Sequence, residues 1–208
     1  GMSASQDFGG MDLPLVIGSC VNEMLGSACL SLALNPLMTQ GQIEALQSHA
    51  SEELKNCYLP NLISGRWSGT MNLTEENAGS DVGALTTSAV LKDDGTYEIS
   101  GQKIYISWGE HNLTENICHL VLARLPGSQK GTRGISLFLV PKYLPSPNDK
   151  IGKRNSLIVT AIEEKMGLHG SPTAVMEYNK AKGWLVGKPN DGMSAMFTMM
   201  NNARLGVA

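Results

Sequence analysis

The sequence predicts an α+β fold: an N-terminal helical segment, then an antiparallel β-barrel or sandwich middle domain, then the start of a C-terminal helix. Three observations carry this. Residues 12–64 hold long apolar stretches with helix-type caps and few turn signals. Residues 71–187 change to short β-type runs punctuated by turn residues. From Pro189 the helical texture returns. No long helical pattern separates the β runs, which favours antiparallel pairing. The expected domains are therefore residues 1–70, 71–188 and 189–208.

The first helical stretch is LPLVIGSCVNEMLGSACLSLAL, residues 13–34. Val16, Leu25, Cys29 and Leu32 share rough helical spacing. Asn22, Glu23, glycines and serines interrupt it, so it reads as a buried helix and not as a membrane span. Pro36 is expected to close it. Thr39 with Gln42 three residues on has the capping-box pattern and would open a second helix. Ser51 is the N-cap candidate of the next, with Glu52 and Glu53 in its first turn, where acids suit the helix dipole. Gly65 ends the helical part.

The β runs are TTSAVLK, YEISGQKIYIS, ICHLVLARL, GISLFLVP, LIVTAIEEK and AVMEYNKA. Asp94-Gly95 between the first two is a strong hairpin signal. GSQKGTRG, residues 127–134, is a basic, glycine-rich loop without the Walker pattern, expected at a hairpin tip. In the last segment Asp191 is the expected N-cap, and Met196, Met199, Met200 and Leu205 form an apolar helical face. A helix with such a face and nothing to cover it implies a further domain, and exposed methionines there would promote association.

Apolar residues make up 42% of the 208 residues and charged ones 17%, the composition of an ordinary soluble globular protein. A net charge of −3 gives no nucleic-acid footprint. Cys20, Cys29, Cys57 and Cys118 form no CxxC pair, and reduced thiols fit a cytoplasmic or organelle-matrix protein. No Lys or Arg precedes Lys55, so neither a signal nor a transit peptide is expected. His49, His111, His119 and His169 lack ligand spacing, and no metal site is expected. Glu75-Glu76 and Glu163-Glu164 are adjacent pairs that a strand would point to opposite faces, so solvated roles are expected.

The most site-like stretch is MNLTEENAGSDVG, residues 71–83. Its small residues allow close approach of backbone to a ligand, and Thr74 and Ser80 supply hydroxyls. A plain polar connector fits the same residues. GQKIYISWGEHN places Tyr105 and Trp108 near a strand end. Alternation puts Ile104 and Ile106 on one face, Tyr105 and Ser107 on the other. That pairs a stacking ring with a hydroxyl, or simply packs an aromatic into a sheet. Asn201 and Arg204 share a helix face at i, i+3, as a polar or anion site or as surface residues.

MNLTEENAGSD resembles the LTExxAGSD signature of the acyl-CoA dehydrogenase flavoprotein family. YEISGQKIYIS looks like that family's G-K-aromatic-I-T/S strand, and NNARLGVA like the start of the long helix after its middle domain. FGG with LP (residues 8–14) and YLPNLISGRW (58–67) match its N-terminal part. The stretch from Glu163 to Gly192 is similar to the branch that includes 3-methylmercaptopropionyl-CoA dehydrogenases. The likeness runs in order along nearly the whole chain. It implies part of an N-terminal helical domain, all of a middle β-domain and the opening helix of a C-terminal bundle.

The resemblance implies FAD as cofactor and an acyl-CoA thioester as substrate. By position, Met71, Leu73 and Thr74 would contact the isoalloxazine ring, Tyr105 would lie against its face with Ile106 alongside, and Ser107 would reach flavin N5. Ser80 falls where the family touches the cofactor and the pantetheine arm, and Asn201 and Arg204 where it binds the CoA portion. This chain departs from the family at several of these points. Met71 replaces a frequent Tyr or Phe, Glu76-Asn77 the usual Pro-Gly, Tyr105 a Trp and Asn201 an Asp.

The family's reaction is α,β-dehydrogenation, with a glutamate removing the α-proton and the hydride passing to the flavin. Some members carry that glutamate just before the arginine of the last helix, where this chain has Ala203. No catalytic residue is therefore expected in these 208 residues, and the isolated chain is expected to be inactive. The implied partners are an electron-transfer flavoprotein or similar acceptor and, at full length, further copies of itself. Nucleic acid and a membrane span are not expected. The alternative is a non-catalytic acyl-CoA- or protein-binding module on the same fold.

Overall fold

In the computed structural model, which describes residues 1–146 and 151–207, one helical run, α1 (Leu15–His49), replaces the two segments expected on either side of Pro36. Pro36 lies inside it, and the break comes earlier, at Cys29, whose φ of −159° and ψ of 91° leave the helical region. Thr39 is therefore no N-cap. Its hydroxyl donates to Asn35 O at 3.0 Å and accepts from the Gly69 amide at 3.0 Å, fastening α1 to the first strand.

The two halves of α1 differ in burial. Beyond Pro36, Leu37, Met38, Ile43, Ala45 and Leu46 are buried. The expectation of a buried first half is wrong: Val16 is 63% exposed, Leu25 39% and Leu32 47%. Helical spacing identifies a face but not whether a partner covers it. By length and composition alone α1 is apolar enough to cross a membrane. Its second half instead lies against sheet and helix in a protein core.

Helix α2 (Glu52–Ile63) starts as expected, with the Ser51 hydroxyl accepting from the Leu54 amide at 3.4 Å. It ends before Gly65, which turns the chain with φ 78°. A strand unmarked in the sequence reading follows at once, β1 (Trp67–Asn72). Next come β2 (Ser88–Leu91), β3 (Tyr97–Ser107), β4 (Asn116–Arg124), β5 (Ile135–Pro141), β6 (Tyr143–Pro145), β7 (Ile151–Arg154), β8 (Leu157–Ile162) and β9 (Thr173–Val186).

The β2–β3 pair is the hairpin signalled by Asp94-Gly95. Asp94 Oδ1 accepts from the Thr96 amide at 3.1 Å and its hydroxyl at 2.5 Å, and Gly95 takes φ 77°. The 127–134 loop joins the antiparallel β4 and β5, also as expected.

The main sheet has the order β1-β4-β2-β3-β9-β5, with β8 on β9 and β5 also on β4. It is mixed, not antiparallel throughout: β1 runs parallel to β4 from Trp67↔Asn116 to Asn72↔Val121. Two intervening strands return the chain to β1 in its own direction. β2 meets β4 at only one parallel pairing, Ser88↔Arg124, too short to join the two halves as a continuous ladder, and the sheet folds over on itself as a sandwich.

Two cores result. One lies between helices and sheet, around Leu46, Leu59, Trp67, Leu122 and Met196. The other lies within the folded sheet, around Ile99, Ile106, Phe138 and Tyr178.

Helix α3 (Gly192–Val207) begins directly after Asp191. Met196 and Met199 are fully buried, which corrects the expectation that they face solvent. Met199 lies against Gly41, and Gly192 fits directly on the Ser136–Leu137 backbone. His49 Nε2 and Thr198 Oγ1 are 2.9 Å apart, and Asn202 donates to Glu44 at 2.7 Å. Leu205, 78% exposed, is not part of the covered face.

Candidate functional site

β1 ends at Asn72, and the next three residues cross the face of β3. The Ile104 amide donates to Thr74 O at 2.9 Å. Lys103 Nζ donates to Leu73 O at 2.9 Å and to Glu75 Oε1 at 2.8 Å. The loop therefore closes on the strand through backbone and side chain together. Beyond it, Glu75 and Ala78 exchange backbone hydrogen bonds at 3.2 and 3.0 Å, making a tight turn over Glu76-Asn77.

Glu75 was expected in solvent but is 7% exposed. Its Oε1 accepts from the Thr87 amide at 3.0 Å and hydroxyl at 2.6 Å, and its Oε2 from those of Thr86 at 2.6 and 2.8 Å. Burial raises its pKa, but the charge of Lys103 and these hydrogen bonds outweigh it and hold the carboxyl at about 2. Burial brings Lys103 down to about 8 against the opposing pull of Glu75. The pair is charged at neutral pH.

Strict alternation along β3 fails at the next residues. Lys103 pairs with Met176 and Ile106 with Ala174, so β3 carries one extra residue there, a β-bulge. Lys103 and Ile106 are three apart yet both buried. Tyr105 takes φ 60° at the bulge and is 60% exposed. A bulky residue in the left-handed region is uncommon, and here it lifts the ring out of the sheet. Ser107 follows, half-buried, at the end of β3. Ile106 is buried in the inner core, so only its backbone can face a ligand.

Trp108 separates from Tyr105. It is 5% exposed and donates from Nε1 to Ser31 O at 3.1 Å, anchoring the strand end to α1. Met71, Leu73 and Thr74 are half-buried beside the bulge, and Ser80 is exposed further along the loop. Asp81 Oδ1 accepts from the Gly83 amide at 2.9 Å. Arg124 then grips the loop's far end, donating to Gly83 O at 2.5 Å and Leu85 O at 3.0 Å. Its other bonds reach Gln129 O at 2.9 Å and Gly131 O at 2.8 Å. Asn201 and Arg204 are adjacent and exposed on α3, with Arg204 Nη1 donating to Asn201 Oδ1 at 3.2 Å. Among the described residues no hydrogen bond or ion pair joins them to the 71–83 loop. Ala203, the position of interest for a base, is buried at 8% exposure.

A buried polar row supports β1 from beneath. Tyr178 OH donates to Asn72 Oδ1 at 2.8 Å, and Asn72 Nδ2 donates to Thr70 Oγ1 at 2.9 Å. The row ends at His119, whose Nδ1 lies 2.7 Å from Thr70 Oγ1. Burial brings its pKa down to about 3. Neither this row nor the Glu75–Lys103 pair is marked by the sequence pattern. Both acidic and basic members of the pair lie within the two quoted motifs, which was the one available signal.

The arrangement presents an exposed aromatic ring at a strand bulge, with a small-residue loop fastened to the same strand by backbone and side-chain bonds. An extended planar ligand with polar edges fits such a surface.

Comparison with known proteins shows the family. Residues 70–181 match the family described as acyl-CoA dehydrogenase, middle domain, and residues 1–66 its N-terminal domain. The chain is 52% identical over 206 residues to a 3-methylmercaptopropionyl-CoA dehydrogenase of Ruegeria pomeroyi, covering 99% of this chain and 35% of that protein. It is 43% identical over 202 residues to a butyryl-CoA dehydrogenase of Syntrophomonas wolfei, covering 93% and 33% respectively. The chain thus spans about a third of the length of these curated relatives.

Among solved structures, one from work on the electron transferring flavoprotein of Acidaminococcus fermentans and flavin-based electron bifurcation superposes with a TM-score of 0.85 and 28% identity. That match covers 100% of this chain and 51% of the other. Butyryl-CoA dehydrogenase of Megasphaera elsdenii shares the fold with a TM-score of 0.84 at 24% identity, covering 100% and 52%.

Proposed function

The chain belongs to the acyl-CoA dehydrogenase family of FAD-dependent oxidoreductases, and we propose that it forms the flavin- and thioester-facing part of an enzyme that dehydrogenates acyl-CoA at the α,β bond. The observation that carries this is the meeting of Thr74 with the bulge that exposes Tyr105, fastened by the Ile104 amide to Thr74 O.

The residues present fit a flavin. Tyr105 offers one ring face to stack on, smaller than a tryptophan's. Thr74 offers hydroxyl and amide donors to a polar ring edge, where they would stabilise negative charge. Ser107 offers a hydroxyl at the strand end, and Met71 and Leu73 offer apolar sides that exclude water. Ser80, exposed on the small-residue loop, suits the pantetheine arm, and the Asn201–Arg204 pair suits the polar portion of CoA. FAD, when bound, supplies the hydride acceptor.

The proton needs a carboxylate whose pKa is raised by burial. Ala203 provides none, and Glu75, held at about 2 and saturated with donors, cannot accept a proton at neutral pH. We therefore assign the base to a part of the enzyme outside these residues, and the isolated chain to weak FAD binding without turnover. The acceptor of the electrons is assigned to the electron-transfer flavoprotein class, supported by the Acidaminococcus neighbour.

The test is anaerobic addition of a short acyl-CoA to the full-length protein purified with FAD. Bleaching of the flavin absorbance is expected from the full-length protein and not from the 208-residue chain. A full-length protein that holds no flavin would overturn the proposal. Bleaching by the isolated chain would overturn the placement of the base.

A further inference from the structure

Among the described residues, the Lys103–Glu75 pair is sealed from solvent more completely than any other ion pair, with side chains 0% and 8% exposed. Its position is specific. Lys103 precedes the exposed Tyr105 by two residues, and its ammonium reaches across to the loop that carries Thr74. Glu75 follows Thr74 directly, and its carboxylate is bound by the amides and hydroxyls of Thr86 and Thr87 as well as by Lys103. Three chain segments thus converge on one carboxylate.

Two features indicate that this network does more than hold the fold. An isolated buried ion pair contributes little net stability compared with apolar side chains of the same shape. Lys103 also spends a bond on a backbone carbonyl, Leu73 O, which an ion pair does not require. Moreover, Tyr105 sits in a conformation that costs free energy and persists only where its surroundings over-determine it. Lys103 on one side and the Ile106↔Ala174 pairing on the other provide that constraint.

We propose that Lys103 and Glu75 are positioning residues for the flavin: their buried pair locks the Leu73–Thr74 backbone to the β3 bulge, presetting the spacing between Thr74 and Tyr105 before the cofactor arrives. The inference rests on the reading of Thr74 and Tyr105 as flavin contacts. A preset surface binds its ligand without the cost of ordering the loop at that moment.

The experiment uses the full-length protein and measures FAD affinity, visible circular dichroism of the bound flavin, and thermal stability. The double variant Glu75→Gln/Lys103→Met removes both charges and leaves no unpaired ion. It is expected to fold with a melting temperature between those of the parent and Lys103→Met, because the Gln amide satisfies only part of the donors around it, to bind FAD at least about tenfold more weakly, and to show an altered flavin dichroism. A folded double variant with the parent's FAD affinity and dichroism would overturn the proposal. Thr86→Ala covers the case in which the double variant does not fold, because Thr86 is exposed and its loss loosens Glu75 without touching either charge. It should weaken FAD about threefold, and unchanged affinity again counts against the proposal. Tyr105→Ala separates the two readings. If it weakens FAD and the double variant does not, the positioning role fails alone. If it leaves FAD affinity unchanged, the flavin reading itself has failed.

Discussion

Lys103 Nζ lies 2.8 Å from Glu75 Oε1 inside the sheet, with both side chains withdrawn from solvent. Removing one partner strands the other. Lys103→Met in the 208-residue chain should lose about 3–5 kcal/mol of stability, because the Glu75 charge then has no counter-ion in a buried site. Adding Glu75→Gln should recover most of that loss. Urea denaturation of the parent, the single and the double variants tests the order, and a double variant no better than the single would contradict it.

Acid should unfold the protein in two overlapping stages. Burial brings His119 from 6.5 to about 3, so the unfolded state takes up a proton that the folded state refuses, and stability falls as pH drops below 6.5. Glu75 is lowered from 4.5 to about 2, against burial and chiefly by Lys103, so its contribution is intact above 4.5 and is lost as pH falls towards 2. Melting temperature followed from pH 7 downward should decline from about pH 6.5. In His119→Gln the first part of that decline should become shallower, the remainder coming from His111, which burial also lowers from 6.5; an unchanged slope would show that His119 does not contribute.

Tyr105 separates stability from cofactor affinity. Tyr105→Gly relieves the left-handed conformation and loses some ring contact, so stability should stay within about 1 kcal/mol of the parent. FAD affinity of the full-length protein should fall clearly. A variant that loses stability and FAD in parallel would place the ring in the fold and not in the site.

Gly192 sets how α3 docks. A Cβ there would meet Ser136 C at 2.4 Å and Leu137 N at 2.6 Å, backbone atoms of the sheet that cannot rotate away. Gly192→Ala should destabilise the chain by about 1–3 kcal/mol and uncover Met196 and Met199. Binding of a hydrophobic dye and light scattering should both increase, while a clean monomer with the parent's melting temperature would contradict this.

Arg124 holds two loops through four carbonyls. Arg124→Met should free the 127–134 loop, and trypsin should then cut at the exposed Lys130 and Arg133 several times faster than in the parent. Equal cleavage rates would show that the loop is held by other contacts.

Several features were legible because their cause is local. The Asp94-Gly95 hairpin follows from a side chain that bonds two residues on and a glycine that accepts positive φ. The Ser51 cap follows from a hydroxyl beside an unpaired amide. β3 runs over the residues of its quoted motif because β-branched and aromatic residues alternate there between turn signals. The stretch from Met71 to Asp81 carried the family likeness in its order of small and acidic residues.

Where the reading failed, the deciding partner was distant in sequence. Glu75 looked solvated because nothing nearby pairs with it; Lys103 does so from 28 residues away. Met199 has no cover in its own segment; α1 brings Gly41 against it. Pro36 looked like a helix end, yet the core holds the helix together around it and the break falls at Cys29. The bulge at Tyr105 has no signature in GQKIYIS, since it arises from the register with β9.

The sequence alone determined the α+β order, the hairpins, the Ser51 cap and the family, all properties of residues acting on near neighbours. Tertiary structure alone decided which charges are buried, which apolar faces are covered and how Tyr105 is raised beside Thr74. Burial and register are set by surfaces meeting across the fold, and a one-residue shift in pairing reverses which side chain faces the core.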